Sequence, residues 1–280
     1  MNIIGVGQPG CRVTKQFEKF PQYKLFFIDT KKQEGYKNFY KVTQRPDHEE
    51  YEEKYKRFNF KSVKGDVTIV ISGAGRISGI LLRLLEQFKN ENLKVLYIKP
   101  DMRTADPKMI KREKTVFGIL QQYARSNLLS NLYVVSNPNV EAVFDSVNIS
   151  TYWDDINNVI SSTYHMINVF ENTEPILSTI PEVSKTNKIV TLGAVSYENL
   201  DEKLFYNLEK TRVKKYFFGV SENTLNEEKD LLHKIRDYVN DKSEEFCSVG
   251  FAIYPTNYEE NYVYTAHYAS FIQEQNLVDN

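Results

Sequence analysis

Two glycine-rich segments have the composition of loops that bind phosphate. The first, Gly5–Gly10, has the sequence GVGQPG, a G-x-G-x-x-G pattern that follows a short apolar run. The second, Ser72–Gly79, has the sequence SGAGRISG and follows a β-branched run. Glycine allows tight turns and lets backbone N–H groups approach a ligand, and a helix that begins there adds positive potential. The two segments therefore predict phosphate-binding loops at the ends of two strands.

The first segment alone leaves the kind of ligand open. Asp29 ends the next apolar run, 19 residues after Gly10, where a dinucleotide-binding fold places an acid for a ribose hydroxyl. A Rossmann-type oxidoreductase that uses NAD(P) is therefore one alternative, and a glycine turn without any ligand is another. The second segment is not a Walker A loop, because no Gly-Lys-Ser/Thr follows, and Ser78 is expected to cap a helix. Two such loops side by side can surround one polyphosphate, whereas a simple Rossmann enzyme needs only one phosphate-binding loop.

The elements that position these loops alternate along the chain. Continuous apolar runs predict strands that are covered on both faces. They are residues 3–6, 25–28, 67–71, 95–98 and 132–135. Apolar residues at helical spacing predict helices at residues 78–88, 111–127 and 151–170. This alternation predicts an α/β fold with a doubly wound, mostly parallel sheet.

The pattern changes after residue 174. We expect strands at 188–194 and 214–220, a helix at 227–239, and two last strands, 246–254 and 261–272, joined by a turn at 255–257. The sequence thus predicts a domain at residues 1–174, which includes a long central helix at about 151–171, and a smaller α+β domain at 175–280.

The segment 31–64 stands apart within the first domain. It is crowded with Lys, Glu and Tyr. This composition predicts a solvated helix flanked by loops, with a partner-binding surface as the alternative.

Composition excludes several classes of function. Lys and Arg number 36 against 37 Asp and Glu, a net charge of −1, so bulk charge gives no case for nucleic-acid binding. Cys11 and Cys247 form no disulfide framework, and the four histidines have no metal-ligand spacing. We expect Cys11 to be a packing residue and His165 to be a hydrogen-bonded core residue. Without a signal peptide or an apolar run of about 20 residues, the expectation is a cytoplasmic protein with no membrane partner.

Taken in order, these segments resemble the tubulin/FtsZ family of guanine-nucleotide-binding cytoskeletal proteins. Residues 4–10 resemble its first glycine loop, 27–30 the strand end that follows, and 65–79 the strand and signature glycine loop. The segment 95–120 is similar to the family's next strand, loop and helix. The segment 155–160 is similar to the start of its central helix, and the segment 250–271 to its last hairpin. The resemblance implies a GTP- or GDP-binding protein, with room for Mg²⁺, that assembles with itself head to tail into filaments.

The resemblance also implies which residues bind the nucleotide. They are Gly7, Gln8, Pro9, Gly10, Cys11, Asp29, Ser72, Gly73, Ala74, Gly75, Arg76, Ile77, Ser78, Lys99, Arg103, Arg112, Trp153 and Asn157. Trp153 and Asn157 lie one helical turn apart and share a face. In the family, the aromatic ring lies against the base and the asparagine contacts the guanine; Asn158 takes this role if the register shifts by one.

The sequence departs from the family pattern in three places. The first loop has Gln8 and Pro9 where the family prefers glycine, and the second has Arg76 and Ile77 where it has threonine and glycine. The family places two acids after the central helix, whereas residues 175–185 contain a single one, Glu182, the candidate catalytic residue. The expectation is therefore weak or absent GTP hydrolysis, and the alternative is a non-polymerising relative that has lost its nucleotide.

The same loop carries an apolar run. Its members are Ile176, Leu177 and Ile180. If the family architecture holds, they form the filament interface; the alternative is that they pack between the two domains.

Overall fold

The computed structural model describes residues 1–103, 105–144, 146 and 148–273. The strands in these ranges are β1 (Asn2–Val6), β2 (Lys24–Asp29), β3 (Phe39–Lys41), β4 (Asp66–Ile71), β5 (Asn92–Lys99), β6 (Asn131–Ser136), β7 (Leu177–Ser178), β8 (Ile189–Val195), β9 (Glu202–Leu204), β10 (Val213–Ser221), β11 (Ser248–Thr256) and β12 (Tyr262–Ala269). The helices are α1 (Gly7–Gln16), α2 (His48–Glu53), α3 (Leu81–Gln87), α4 (Pro107–Arg125), α5 (Asn137–Glu141), α6 (Tyr152–Glu171), α7 (Glu222–Glu227) and α8 (Leu231–Asp241), with 3-10 turns at Phe17–Lys19 and Arg76–Ile80.

One sheet runs through the molecule in the order β3-β2-β1-β4-β5-β6-β8-β12-β10-β11-β7, and β9 pairs with β8. The first six strands are parallel. Their apolar runs are buried on both faces, as all of β1 and all but the first residue of β4 show. Because β1 and β4 are direct neighbours, with Gly5 opposite Val70, the two glycine loops leave the sheet side by side. The predicted α/β fold with a mostly parallel sheet is confirmed.

The predicted central helix is α6. Its buried face repeats at helical spacing through Ile156, Ile160, Ile167 and Phe170. Phe170 stacks on Phe217 of β10 with ring centroids 5.9 Å apart, so the end of α6 lies on strands of the second half of the chain. Twenty helical residues span about 30 Å. The helix therefore connects two distant regions of the molecule.

The second half continues the same sheet with mixed directions. β12 is antiparallel to β8 and to β10, and β10 is parallel to β11. The predicted last hairpin is wrong: β11 and β12 lie on either side of β10 and do not pair with each other. The reason is that β10 is buried along almost its whole length and occupies the centre.

The division at residue 174 stays a prediction. The sheet passes between the two halves through two residue pairs of β6 and β8, Leu132 with Ile189 and Tyr133 with Val190. Residues 274–280 of the predicted second domain lie outside the described residues. Within the described ranges, no helix combines the length and the apolar character that crossing a membrane requires.

The segment 31–64 is more firmly packed than its composition suggests. It contains the edge strand β3 and the six-residue helix α2. Tyr36, Tyr51, Phe60 and Val63 are buried, three of them in the core beneath α3 and α4. The predicted helix is α2, which has loops on both sides and buries only Tyr51 of its six residues, whereas other aromatic residues of the segment pack into the core.

Candidate functional site

At the first glycine loop, α1 begins at the residue after the end of β1. Gly7 has φ = +68°, a left-handed conformation that glycine adopts without strain. A Cβ on Gly10 would lie 2.2 Å from the carbonyl oxygen of Val70, so only glycine lets α1 lie this close to β4. Gln8 and Pro9 are exposed in the first turn, where proline is tolerated. The N-terminus of α1 is thus held at the carboxyl ends of the strands, and its first turn contains no acidic residue.

The carbonyl groups of the second loop are tied to side chains. The Ser78 hydroxyl donates to the oxygens of Gly73 at 2.9 Å and Gly75 at 2.7 Å. Arg112 Nε, from α4, donates to the oxygen of Ala74 at 2.9 Å. Ser78 was predicted as a helix cap, but it lies inside the 3-10 turn, where its hydroxyl fixes the loop.

This arrangement sets the direction of the N–H groups. The described peptide bonds include no cis bond, and in a trans peptide the N–H points away from the C=O of the same unit. The N–H groups of residues 74 and 76 therefore point away from the Ser78 hydroxyl, and the N–H of residue 75 points away from Arg112. Successive N–H groups that point one way form a concavity that attracts anions.

The two loops touch each other. A Cβ on Gly7 would lie 2.8 Å from the γ2-methyl of Ile77. Ile77 is half-buried and Gly75 and Arg76 are exposed, so the branched side chain fills part of the space between the loops.

Asp29 and Cys11 lie beneath the first loop. The Asp29 carboxylate is buried and accepts from the backbone N–H of Thr30 at 2.7 Å, and burial raises its pKa. Cys11 Sγ donates to the carbonyl oxygen of Gly5 at 3.4 Å, and burial raises the pKa of the thiol. Cys11 is therefore a neutral packing residue, as expected, despite its place near a helix N-terminus.

The start of α6 separates the two candidate asparagines. Asn157 is buried on the face that packs toward α1 and the sheet. Asn158 is exposed, and its Oδ1 accepts a hydrogen bond from Lys19. The Trp153 side chain is 49% exposed, with its ring edge-on to Tyr152 at 5.0 Å. Trp153 is thus an accessible ring one turn before a buried amide.

The predicted cations at the end of β5 and in the loop after it already have partners. Lys99 Nζ lies 2.7 Å from Glu113 Oε1 and 4.0 Å from the centre of the Phe117 ring, and burial lowers its pKa. Arg103 pairs with Asp101 at 2.5 Å on the surface. These residues, like Arg112, are engaged within the chain, and their contact with a nucleotide stays a prediction.

Sequence reasoning missed the support beneath the second loop. A Cβ on Gly73 would lie 2.2 Å from the Tyr97 hydroxyl, so the loop rests directly on that side chain. The Tyr97 hydroxyl contacts Glu113 Oε1 at 3.3 Å, the same carboxylate that pairs with Lys99. A tyrosine in an apolar strand and an acid in the middle of a helix gave no signal of this contact.

The loop after α6 is built differently. Leu177 belongs to β7 and pairs with Ile253, while Ile180 packs partly against the core. Ile176 is 61% exposed and Glu182 is exposed. Only Ile176 of the predicted apolar run thus presents most of its side chain to the outside. Among described residues, no group of three His, Cys, Asp or Glu is placed to hold a metal ion.

Solved structures share this architecture. FtsZ from M. jannaschii, in an empty dimer, superposes with a TM-score of 0.70 at 11% identity, over 100% of this chain and 93% of that one. TubZ from Bacillus thuringiensis serovar israelensis, in GDP-form protofilaments, gives 0.67 at 17% identity, over 96% and 88%. CetZ2 from Haloferax volcanii, in a GTPγS-bound protofilament, gives 0.67 at 12% identity, over 95% and 92%.

Sequence comparison adds no closer relative. No protein-family model matches the chain, and no curated protein matches it. The structural likeness extends over the whole chain, including the long central helix and both parts of the sheet. The chain therefore has the fold of the tubulin/FtsZ structures.

Proposed function

We propose that this protein binds a guanine nucleotide between its two glycine loops and assembles head to tail into filaments, with weak or absent GTP hydrolysis. The observation that supports the proposal most is the second loop, whose carbonyls at residues 73–75 are engaged by Ser78 and Arg112, so that the N–H groups of the same peptides point away from these two side chains. The first loop and the N-terminus of α1 lie beside it. Together they offer N–H groups to a polyphosphate at the edge of a parallel sheet, the usual ligand position in such folds.

The base site follows from the position of α6. A buried amide such as Asn157 both donates and accepts, which suits the edge of a guanine. Trp153 offers an accessible ring one turn earlier for stacking. Strand order alone does not decide between GTP and NAD(P), because β3-β2-β1-β4-β5-β6 is also the classical dinucleotide-binding order. The α6 side chains favour guanine.

Head-to-tail assembly is supported by the separation of the two regions. The glycine loops lie near the start of α6 and the loop with Ile176 and Glu182 follows its end. A contact between two unlike surfaces continues into an open filament unless its rotation closes a ring. TubZ and CetZ2 were solved as protofilaments with GDP and GTPγS, which supports the same assembly here. We place such a filament in the cytoplasm.

Weak turnover follows from the loop after α6. Activation of a water molecule usually needs a correctly placed carboxylate. Residues 175–185 supply only Glu182, which is exposed and has no second acid beside it in that loop.

Identification of the bound ligand tests the binding proposal. The purified protein is denatured, and the released small molecules are separated by chromatography and identified by mass spectrometry. GTP or GDP supports the proposal, and calorimetry should then give tighter binding of guanine than of adenine nucleotides. NAD(P) would support the oxidoreductase instead, and no ligand together with no GTP binding would support the relative that has lost its nucleotide.

Light scattering and electron microscopy with added GTP test assembly. Ile176→Lys places a charge on an exposed side chain, so it should abolish filaments and leave both the fold and GTP affinity unchanged. Leu128→Lys is the matched control, because Leu128 is also more than half exposed but lies at the end of α4. A protein that stays monomeric at high concentration with GTP would refute self-assembly.

A further inference from the structure

A cleft lies at the start of β10, beside the end of α8 and the turn that follows it. Its volume is about 650 Å³, a size typical of pockets that hold small molecules. β10 and β8 are both antiparallel to β12, and β8 is parallel to β6. The start of β10 therefore lies toward the amino ends of the strands, whereas the glycine loops lie at their carboxyl ends. Of the described residues that line the cleft, none is a candidate nucleotide contact.

Basic side chains follow one another along one wall of this cleft. Arg212 and Lys214 both line it and are two residues apart, so in an extended strand their Cα atoms are about 7 Å apart on one face. The strand pairing already includes Arg212, because its N–H donates to the Tyr268 oxygen at 2.7 Å. Lys210 lines the same wall from the preceding loop. The wall therefore presents a row of positive charge.

The first two cations of the row converge on one aromatic ring. Lys210 Nζ lies 4.9 Å and Arg212 Cζ lies 5.0 Å from the centre of the Phe271 ring, so the two charges are at most about 10 Å apart. The ion pairs that the structure describes in this cleft involve neither of them. Because like charges repel, an anion between the two side chains is favoured there.

The third cation is buried, but its carboxylate partner is not. Lys214 is 6% exposed, and its Nζ donates to the Lys242 oxygen at 3.1 Å and to Glu244 Oε1 at 2.5 Å. The Glu244 side chain is 62% exposed, so it can rotate into solvent while Lys214 stays in place. The Glu244 carboxylate therefore marks a position that a carboxylate of a ligand can take.

The other charged groups of the wall set the charge of the ligand. Glu202 Oε1 lies 3.0 Å from His267 Nε2, and Glu202 Oε2 lies 3.5 Å from Lys242 Nζ. Glu245 is exposed. When Glu244 turns outward, the four lysines and arginines of the cleft face only two acids, Glu202 and Glu245. The cleft then favours a ligand with two negative charges.

Two residues of the cleft also have a strained backbone. The φ angle is +51° at Lys210 and +62° at Phe246, in the left-handed region that residues other than glycine rarely adopt. Four described residues of this kind have such an angle, and these two line the same cleft. Backbone strain is concentrated at ligand sites in proteins. Phe246 is also 74% exposed and offers an apolar surface next to the cations.

We propose that this cleft binds a small organic dicarboxylate. One carboxylate lies between Lys210 and Arg212, where the guanidinium can hold it with two parallel hydrogen bonds. The other replaces Glu244 at Lys214, and the carbon chain between them lies against Phe246. This site does not depend on the proposed binding of a guanine nucleotide.

Calorimetry with glutarate as the probe tests the site, at a constant ionic strength set with sodium chloride. Pentanoate is the matched compound, because it has the same number of carbon atoms and one carboxylate. We expect glutarate to bind more tightly than pentanoate by about tenfold or more, since the second carboxylate adds a hydrogen bond to a charged group. Saturating GDP should leave the glutarate affinity unchanged.

Arg212→Gln should weaken glutarate binding by about tenfold or more for the same reason. Arg236→Gln is the control, because it makes the same change at an exposed position of α8 outside the cleft, and it should leave the affinity unchanged. If Arg212→Gln does not fold, Lys210→Gln, at an exposed position, takes its place.

Glu244→Gln gives the opposite sign. It removes the carboxylate that competes for Lys214, so glutarate affinity should rise by about threefold, the scale of an exposed ion pair. Glu245→Gln makes the same charge change in the same wall without a contact to Lys214, and it should give a smaller rise.

Several results would overturn the proposal. They are no measurable glutarate binding, equal affinity for pentanoate, an equal loss in Arg236→Gln, and a loss of affinity in Glu244→Gln. Displacement of glutarate by GDP would also overturn it, because the probe would then lie at the nucleotide site. If the protein binds no nucleotide, the measurements without GDP still decide, so the two proposals fail separately.

Discussion

The two glycine loops and the loop after α6 differ in how firmly they are held. At the carboxyl ends of the strands, three carbonyls of the second glycine loop accept hydrogen bonds, and Gly10 packs closely against Val70. The loop after α6 instead has an exposed carboxylate, Glu182, and an exposed side chain, Ile176. The first region has a fixed backbone, which supports the proposed binding of an anion there. The second has surface for a contact but no pair of acids for catalysis. In the function proposed here, ligand binding and ligand turnover therefore rest on separate parts of the fold, so one can persist without the other.

The largest effect is expected where the first region is most tightly packed. Gly10→Ala would place a Cβ 2.2 Å from the Val70 carbonyl and force α1 away from β4. We expect a loss of about 3 kcal/mol in the free energy of unfolding, at the upper end for overpacking. Nucleotide affinity should fall as well, because the start of α1 moves. Urea denaturation and GTP calorimetry measure the two effects.

Gly118→Ala is the control for Gly10→Ala. A Cβ at Gly118, inside α4, would meet no atom within 4 Å. Because alanine is the better helix residue, we expect a gain of about 0.5–1 kcal/mol there. Equal stability of the two variants would show that α1 does not depend on the close approach of Gly10.

The next effect concerns the base. Asn157→Ala should reduce the preference for guanine over adenine nucleotides by about 1–3 kcal/mol, the cost of leaving buried hydrogen-bonding groups unpaired. Asn158→Ala removes an exposed amide that already accepts from Lys19 and should change the preference little. Competition binding of GDP and ADP measures both. The opposite result would move the base contact to Asn158.

The elements that sequence predicts well are those whose pattern is local. The apolar runs of β1, β4 and β5 and the long stripe of α6 each identify an element without reference to the rest of the chain. The strands β3, β7 and β9 have only two or three residues and exist through pairing with a neighbour, so no local pattern indicates them. The sequence also does not show that β10 lies between β11 and β12, because the three strands have similar apolar patterns and only their pairing decides their order.

The candidate site follows the same division. The glycines of both loops are visible in the sequence, because their spacing is local. The bond from Arg112 to Ala74 joins residues 38 positions apart, and it exists only because α4 packs behind the loop. The pair of Lys99 and Glu113 joins a strand to a helix in the same way. The sequence therefore predicts that Lys99 and Arg112 lie near the loop, but not which atoms their side chains contact.

A smaller effect is expected between the two regions, at His165 in the middle of α6. Its Nδ1 accepts from the Tyr23 hydroxyl at 3.0 Å, and its ring stacks on Phe20 with centroids 3.6 Å apart. Burial, with a contribution from the charge of Lys19, lowers the pKa of His165 to about 4. Between about pH 6.5 and 4 the unfolded chain therefore binds a proton that the folded chain does not. Stability should fall with falling pH in this window, by about 3 kcal/mol in all.

Denaturation at several pH values measures this effect. His165→Gln should flatten the dependence between pH 6.5 and 4, whatever it does to stability at pH 7. His233→Gln, on the exposed side of α8, should keep the slope of the parent protein. A slope that is unchanged in His165→Gln would assign the dependence to other groups.

The smallest effect is expected at the second region, where the proposed function leaves little activity to be lost. Phosphate release during assembly should stay well below about 1 s⁻¹, the lower end of ordinary enzyme rates, because a single carboxylate has no partner to orient the water. Glu182→Gln should lower the remaining rate, since it removes the one acid of that loop, and should leave GTP affinity unchanged. Glu174→Gln makes the same charge change on an exposed acid just after α6 and should have no effect.

If both variants release phosphate as fast as the parent, the residual hydrolysis does not use this loop. A parent rate near 1 s⁻¹ would mean that a group other than Glu182 supplies the catalysis.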